Sequence, residues 1–129
     1  MRATVATVDG VFTVDLEAEE VLEERPDPVA IEEALPLSLP RLLASAASGS
    51  TVVAVVDTRP PLAVSHDAGL TWRESGRGLP GGRAVAVAAD DPDTILYAAR
   101  NRLYLSRDGG RFWHAVAVEL PEIEAVSFD

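Results

Sequence analysis

The chain has 129 residues, a net charge of −10 and no cysteine. That length fits one domain, the missing thiols exclude disulfides and thiolate metal sites, and the acidic balance argues against nonspecific nucleic-acid binding, which needs a basic face. At 47% hydrophobic the chain can build a core, yet no stretch is long and apolar enough to cross a membrane as a helix.

Residues 2–8 alternate apolar with polar and end at Asp9-Gly10, a hairpin signal. They lack the apolar run of a signal peptide, so a cytoplasmic protein is expected. Val11-Phe12-Thr13-Val14 is the second strand, and a third, charged strand is expected over 19–24. Charges on an outer strand block pairing with foreign sheets. Residues 15–35 hold nine acids and one arginine, which reads as a solvated edge. Residues 25–40 carry Pro26, Pro28, Pro36 and Pro40. Asp27-Pro28 has the form of an N-cap followed by the first helical residue, which predicts a short helix over 28–35 stopped by Pro36.

Residues 41–47 would be helical on propensity alone. A repeat further along argues for strand. Ser65-His66-Asp67-Ala68-Gly69-Leu70-Thr71-Trp72 returns as Ser106-Arg107-Asp108-Gly109-Gly110-Arg111-Phe112-Trp113, at an offset of 41. The same offset pairs Arg59 with Arg100, Leu62 with Leu103, Leu79-Pro80 with Leu120-Pro121 and Ala84-Val85 with Ala125-Val126. It lays 43–47 onto 84–88, where Ala-Val-Ala-Val-Ala alternates plainly. Further strands are expected over 51–56, 62–65, from 71–72 onward, and over 84–89, 94–99, 102–106, 112–118 and 123–128. Thr13-Val14-Asp15 looks like a worn third copy of the motif, with Glu17 and Glu20 where its Gly and Trp would stand. Naming the strands of a unit A to D gives the order BCD, ABCD, ABCD, A. That is twelve strands at about 43 residues per unit, the length of a four-stranded propeller blade.

The pattern Ser-x-Asp-x-Gly-x-Thr/Phe-Trp resembles the Asp-box, or BNR repeat, found on the blades of sialidases and sortilin-like receptors. The Leu-Pro leads and the stretch from Asp91 to Ala98 resemble such blades too. The resemblance covers residues 41–129 well and 1–24 only through strand order. It implies an all-β β-propeller, with strands B–D of blade 1 over 1–24, a linker over 25–40, blade 2 over 41–80, blade 3 over 81–121 and a closing A strand over 122–129. It also implies a structural role for Ser65, Asp67, Gly69, Trp72, Ser106, Asp108, Gly110 and Trp113, away from any active site. The side chains suit that role. Asp carboxylates accept turn amides, Gly allows positive φ, and Trp covers a large apolar area.

The B–C and D–A loops of such a fold form the face where ligands bind, and here they carry Arg59, Arg77, Arg83, Arg100 and Arg102. Guanidiniums on one rim hold a carboxylate or phosphate through forked hydrogen bonds. The plainer expectation is that they pair with Asp9, Asp57 and the acidic segment. His66 and His114 each stand alone, without a partner at metal-ligand spacing, so no metal and no cofactor is expected. Tyr97 and Tyr104 read as packing residues.

Two functions follow. The first is a non-catalytic binding or scaffold propeller for an anionic ligand or protein segment. The alternative is a small sialidase-like glycosidase or related hydrolase, which needs two carboxyls facing one pocket; Asp9, Asp57, Glu74 and Glu119 are the candidates. Three blades are too few to close a ring. The sequence therefore predicts a homodimer: one six-bladed propeller in which strand 123–128 completes the partner's first blade and covers two bare end faces.

Overall fold

A computed structural model describes residues 1–26 and 42–129. The helix expected over 28–35 lies outside the described residues. The alternation at the start of the chain becomes β1 (Arg2–Thr7) and β2 (Gly10–Asp15), joined at Val8-Asp9, followed by β3 (Glu20–Arg25), every residue of which is exposed. The alanine-rich stretch is a strand, β4 (Leu42–Ser48), followed by β5 (Thr51–Val56), β6 (Leu62–Ser65) and β7 (Arg73–Ser75). The next unit is β8 (Ala84–Val87), β9 (Ile95–Ala99), β10 (Arg102–Ser106) and β11 (His114–Ala115), and β12 (Ile123–Phe128) ends the chain. β7 and β11 are shorter than expected because each motif turn holds its Trp outside the ladder. Beyond β11, Val118 N–H donates to the Val116 carbonyl (2.9 Å) and bends the chain away from β10.

These strands form three antiparallel four-stranded sheets in the orders β12-β1-β2-β3, β4-β5-β6-β7 and β8-β9-β10-β11, referred to as sheets I, II and III. Sheet III stands in the middle. Its Ala84, Ala86, Leu96, Ala98, Leu103 and Leu105 pack on Ala3, Val5, Phe12, Val14 and Leu16 of sheet I and the turn after it. Its Val85, Ile95, Tyr97 and Ala99 pack on Val53, Val55, Leu62 and Val64 of sheet II. Both faces of β9 are therefore buried, which is why Ile-Leu-Tyr-Ala-Ala is continuously apolar. Leu62 and Leu103, paired by the repeat, are both fully buried, worth about 2 kcal/mol each. The inner strands β4, β8 and β12 lie side by side along one axis. Gly82 permits the closest approach between a loop and β9: a Cβ there would sit 2.3 Å from the Ala98 carbonyl oxygen.

Four expectations are corrected. First, β12 is not exchanged with a partner. It pairs with β1 of its own chain, Val5 opposite Val126 and Ala3 opposite Phe128. The two ends are close because sheet I packs directly on sheet III, so strand A of sheet I follows β11 without crossing the arc. Second, the end faces are only partly bare: Leu43 of sheet II and Val21 and Leu22 of sheet I are exposed, but other apolar positions are covered. Val52 and Ala54 on the far side of sheet II, and Thr4 and Val11 on the far side of sheet I, are buried within one chain. The pairing within one chain shows no strand exchange, and a six-bladed homodimer is not shown.

Third, the constant offset of 41 does not carry through to the strand pairing. Leu62 pairs with Val55 but Leu103 with Ala98, and Val53 pairs with Ala46 while Leu96 pairs with Ala86. The β5–β6 loop is longer than the β9–β10 loop, and the turn between β4 and β5 is shorter than its counterpart. Fourth, Thr13-Val14-Asp15 is not a third copy of the motif. Val64 and Leu105, which precede the two motif serines, face the next sheet. Phe12, in the same sequence position before Thr13, faces back onto sheet III.

Candidate functional site

The two motif turns have the same construction. Ser65 Oγ donates to Asp67 Oδ1 (2.7 Å) and accepts from Gly69 N–H (2.8 Å), while Asp67 takes the Thr71 amide (2.9 Å) and hydroxyl (2.5 Å). Ser106 Oγ donates to Asp108 Oδ1 (2.9 Å) and accepts from Gly110 N–H (2.9 Å), and Asp108 takes the Phe112 amide (3.0 Å). The residue after each Asp, Ala68 or Gly109, donates its N–H to a carbonyl in the turn between the first two strands of its sheet, Ser50 or Asp93, both at 2.9 Å. Ala68 and Gly69 have φ of 60° and 91°, and Gly109 and Gly110 have 72° and 90°, so each turn runs through two successive left-handed residues. The Thr71 hydroxyl and amide, then Ser65, hold the Asp67 carboxyl down at about 2. The Phe112 amide, then Ser106, lower Asp108. Hydrogen bonds to the charged form produce this shift. Both carboxylates serve their own turns, Asp67 through both oxygens and Asp108 through Oδ1.

Each seam between sheets carries a tie that the sequence did not announce. At the seam of sheets II and III, Trp113 Nε1 donates to Ser75 Oγ (3.1 Å), and that hydroxyl donates to the Gly110 carbonyl. The half-buried indole stands edge-on to the fully buried Tyr97 ring, centroids 6.1 Å apart, a favourable aromatic geometry. Burial, with Tyr104 beside it, raises the Tyr97 hydroxyl to about 12, and that hydroxyl donates to the Pro80 carbonyl (2.7 Å). At the seam of sheets III and I the tie is polar. Glu19, at φ 54°, accepts the Ala117 amide (2.9 Å) and meets His114 Nε2 (2.8 Å). The Ala117 amide, then His114, lower the Glu19 carboxyl. Within the acidic run nothing marks Glu19 as different from its neighbours, since its partners lie nearly a hundred residues away. Trp72 is half-buried and makes no hydrogen bond among the described residues.

The five arginines are all exposed. Arg59 and Arg77 line one small cleft of about 180 Å³ with Pro60, Pro61 and Leu79. Arg59 also borders a second, of about 470 Å³, with Asp57, Thr58 and Gly82. Arg83 lies 4.0 Å from Glu122. Arg100 is the first residue of the two-residue β9–β10 turn and Arg102 opens β10, and the Arg100 carbonyl accepts Ile123 N–H (2.6 Å). Arg59 sits instead in a five-residue loop, so the two arginines paired by the repeat occupy loops of different shape. Pairing with Asp9 and Asp57 is not what is found: among the described residues Arg59, Arg77, Arg100 and Arg102 form no ion pair.

The acids proposed for hydrolysis are dispersed. Asp9 lines a cleft with Glu124, Asp57 lies beside Arg59, and Glu74 and Glu119 line neither cleft. Asp91 shapes its own turn, accepting the Thr94 hydroxyl (2.8 Å). His66 Nδ1 meets Thr51 Oγ1 (3.3 Å), and its ring packs against Gly109. Among the described residues no three His, Asp or Glu side chains are placed to share a metal ion. On the axis, β4, β8 and β12 enclose a cleft of about 420 Å³ lined by small residues, with Ser127, Asp90 and Asp129 at its edge.

Three sheets side by side around an axis invite comparison with solved structures. The structure of YCF48 bound to a D1 peptide superposes with a TM-score of 0.54 at 19% identity, over 94% of this chain and 42% of that one. The crystal structure of the Niastella koreensis GH74 enzyme superposes with a TM-score of 0.50 at 22% identity, over 93% of this chain and 18% of that one. Both are β-propeller proteins. The fold is β-propeller-like. The three sheets are thus blades, and the chain spans less than half the length of either structure. No family model matches the chain, and no curated protein sequence does.

Proposed function

We propose that this chain is a non-catalytic β-propeller module that binds a protein segment bearing carboxylates on the loop face carrying Arg59, Arg77, Arg83, Arg100 and Arg102. In this reading the two motif turns are Asp-boxes, and their Asp residues are structural. One observation carries it: four exposed arginines without carboxylate partners stand on one side of the blades, and two of them line a common cleft. An unpaired guanidinium offers a forked donor set that matches a carboxylate. The YCF48 neighbour has a D1 peptide bound, which is consistent with a protein segment as ligand for a blade surface of this kind. The four acids named for the hydrolase alternative do not gather in one cleft: Asp9 lines one with Glu124, Asp57 lines another, and Glu74 and Glu119 line neither.

The test is calorimetric titration with an acidic peptide against a basic one of equal length. The acidic peptide is expected to bind, and Arg59→Ala with Arg77→Ala to weaken it at least about ten-fold, the worth of one charge-assisted hydrogen bond. Stability of the double variant should stay within about 0.5 kcal/mol of wild type, as for other surface changes. Turnover of fluorogenic glycosides that survives purification would overturn the non-catalytic reading.

A further inference from the structure

A second kind of cleft lies on the opposite rim, at the seam of sheets III and I. It encloses about 520 Å³ between the turn after β2 and the motif turn before β11, within the range of small-ligand sites. Leu16 and Leu105 are buried beneath it, and the half-buried Trp113 forms a wall. Phe112 stands at the mouth with 79% of its surface exposed. Glu17, Glu19 and Asp108 supply three carboxylates against two cations, the Met1 ammonium (2.5 Å) and Arg107 (3.8 Å), both of which meet Glu17, with His114 beside Glu19.

The neighbouring seam explains the empty space. Between sheets II and III the indole of Trp113 reaches back across the seam to Ser75. At the seam of sheets III and I, the element that reaches back is the Glu19 carboxylate, a far smaller group. The cleft is open where one seam has an indole and the other has none. An exposed aromatic face ringed by carboxylates attracts a cation as well as an aromatic ring.

We infer that this cleft binds an aromatic side chain of a partner protein, tryptophan above all, carried next to a lysine or arginine. The ring would fill the volume over Leu16 and Leu105 and stack on Phe112, while the basic neighbour meets Asp108 through Oδ2, the oxygen that its own turn leaves unused. The site is independent of the arginine-bearing face, which would take the opposite charge.

The full chain would be titrated by calorimetry with capped Lys-Trp-Lys, Lys-Ala-Lys and Glu-Trp-Glu peptides. Lys-Trp-Lys is expected to bind at least about ten-fold tighter than either of the others, one apolar anchor plus charge pairing supplying the difference. Phe112→Ser should remove most of that advantage. Leu70→Ser, at a residue 84% exposed outside the cleft, should leave it intact. Equal binding of Lys-Ala-Lys would reduce the effect to charge alone. Equal binding of Glu-Trp-Glu would reduce it to apolar contact. Either result, no binding by any peptide, or an unchanged Phe112→Ser variant would overturn the assignment. Both substitutions are at exposed positions, so a folded protein is available for every arm.

Discussion

A single carboxylate shows how tightly the motif turns are built. Asp67 is held at about 2 against an ordinary 3.8 by Thr71 and Ser65. A depressed carboxyl stabilises the fold fully above its unfolded value, and the contribution disappears as pH falls through the unfolded value and on towards the folded one. Wild type should therefore melt above Asp67→Asn near neutral pH, with the gap closing between about pH 4 and about pH 2; a gap that persists at the acid end would show that the charge is not what the turn uses. Trp113 and Trp72 occupy the same motif position but not the same surroundings. Trp113 has Ser75 and Tyr97 as partners, so Trp113→Ala should cost about 3 kcal/mol. Trp72, with no hydrogen bond among the described residues, should cost less than half as much when truncated. Chemical denaturation of the two variants side by side checks both.

At the level of elements, β12 decides whether sheet I exists as a four-stranded blade. Ile123 and Val126 are buried in the core shared with sheet III, and β12 pairs with β1 over five register positions. Removing residues 122–129 deletes a strand and opens that core, so the truncated chain should lose its cooperative thermal transition in circular dichroism. A truncated chain that melts like wild type would mean that β1 to β3 need no inner strand. The ladders themselves were legible in the sequence, because Ala-Val alternation and the Asp9-Gly10 turn are local signals. The shortness of β7 and β11 was not. It follows from motif turns that spend their amides on Asp67 and Asp108 instead of on a neighbouring strand.

For the whole molecule, the burial of Val52, Ala54, Thr4 and Val11 inside one chain reduces the apolar surface that would drive two arcs together, leaving Leu43, Val21 and Leu22 exposed on the end sheets. Light scattering at micromolar concentration is expected to return the mass of one chain. A mass of two chains would restore the six-bladed ring, with faces rather than exchanged strands in contact. The charge pattern also belongs to this scale. Four arginines without ion-pair partners lie on the rim built by the loops after β5, β7 and β9, while Arg107 and Arg111 lie in the second motif turn. Carboxylates, several of them already engaged, gather on the rim of the motif turns.

The sequence by itself determined the strands, their grouping in fours and the identity of the turn that is repeated. Periodicity, turn residues and a tandem motif are local or regularly spaced, so a linear reading recovers them. Only the tertiary structure decided that β12 stays with β1, because chain ends meet through the packing of sheet I on sheet III and no local signal encodes that. It likewise decided that Asp15 does not close a third motif turn: the side chains of β2 face the opposite way from those of β6 and β10, and a one-residue change of phase is invisible without the neighbouring sheet. The seam ties at Ser75 and Glu19, and the cleft beside the second, depend on side chains brought together from distant parts of the chain. Their chemistry was written in the sequence, but their proximity was not.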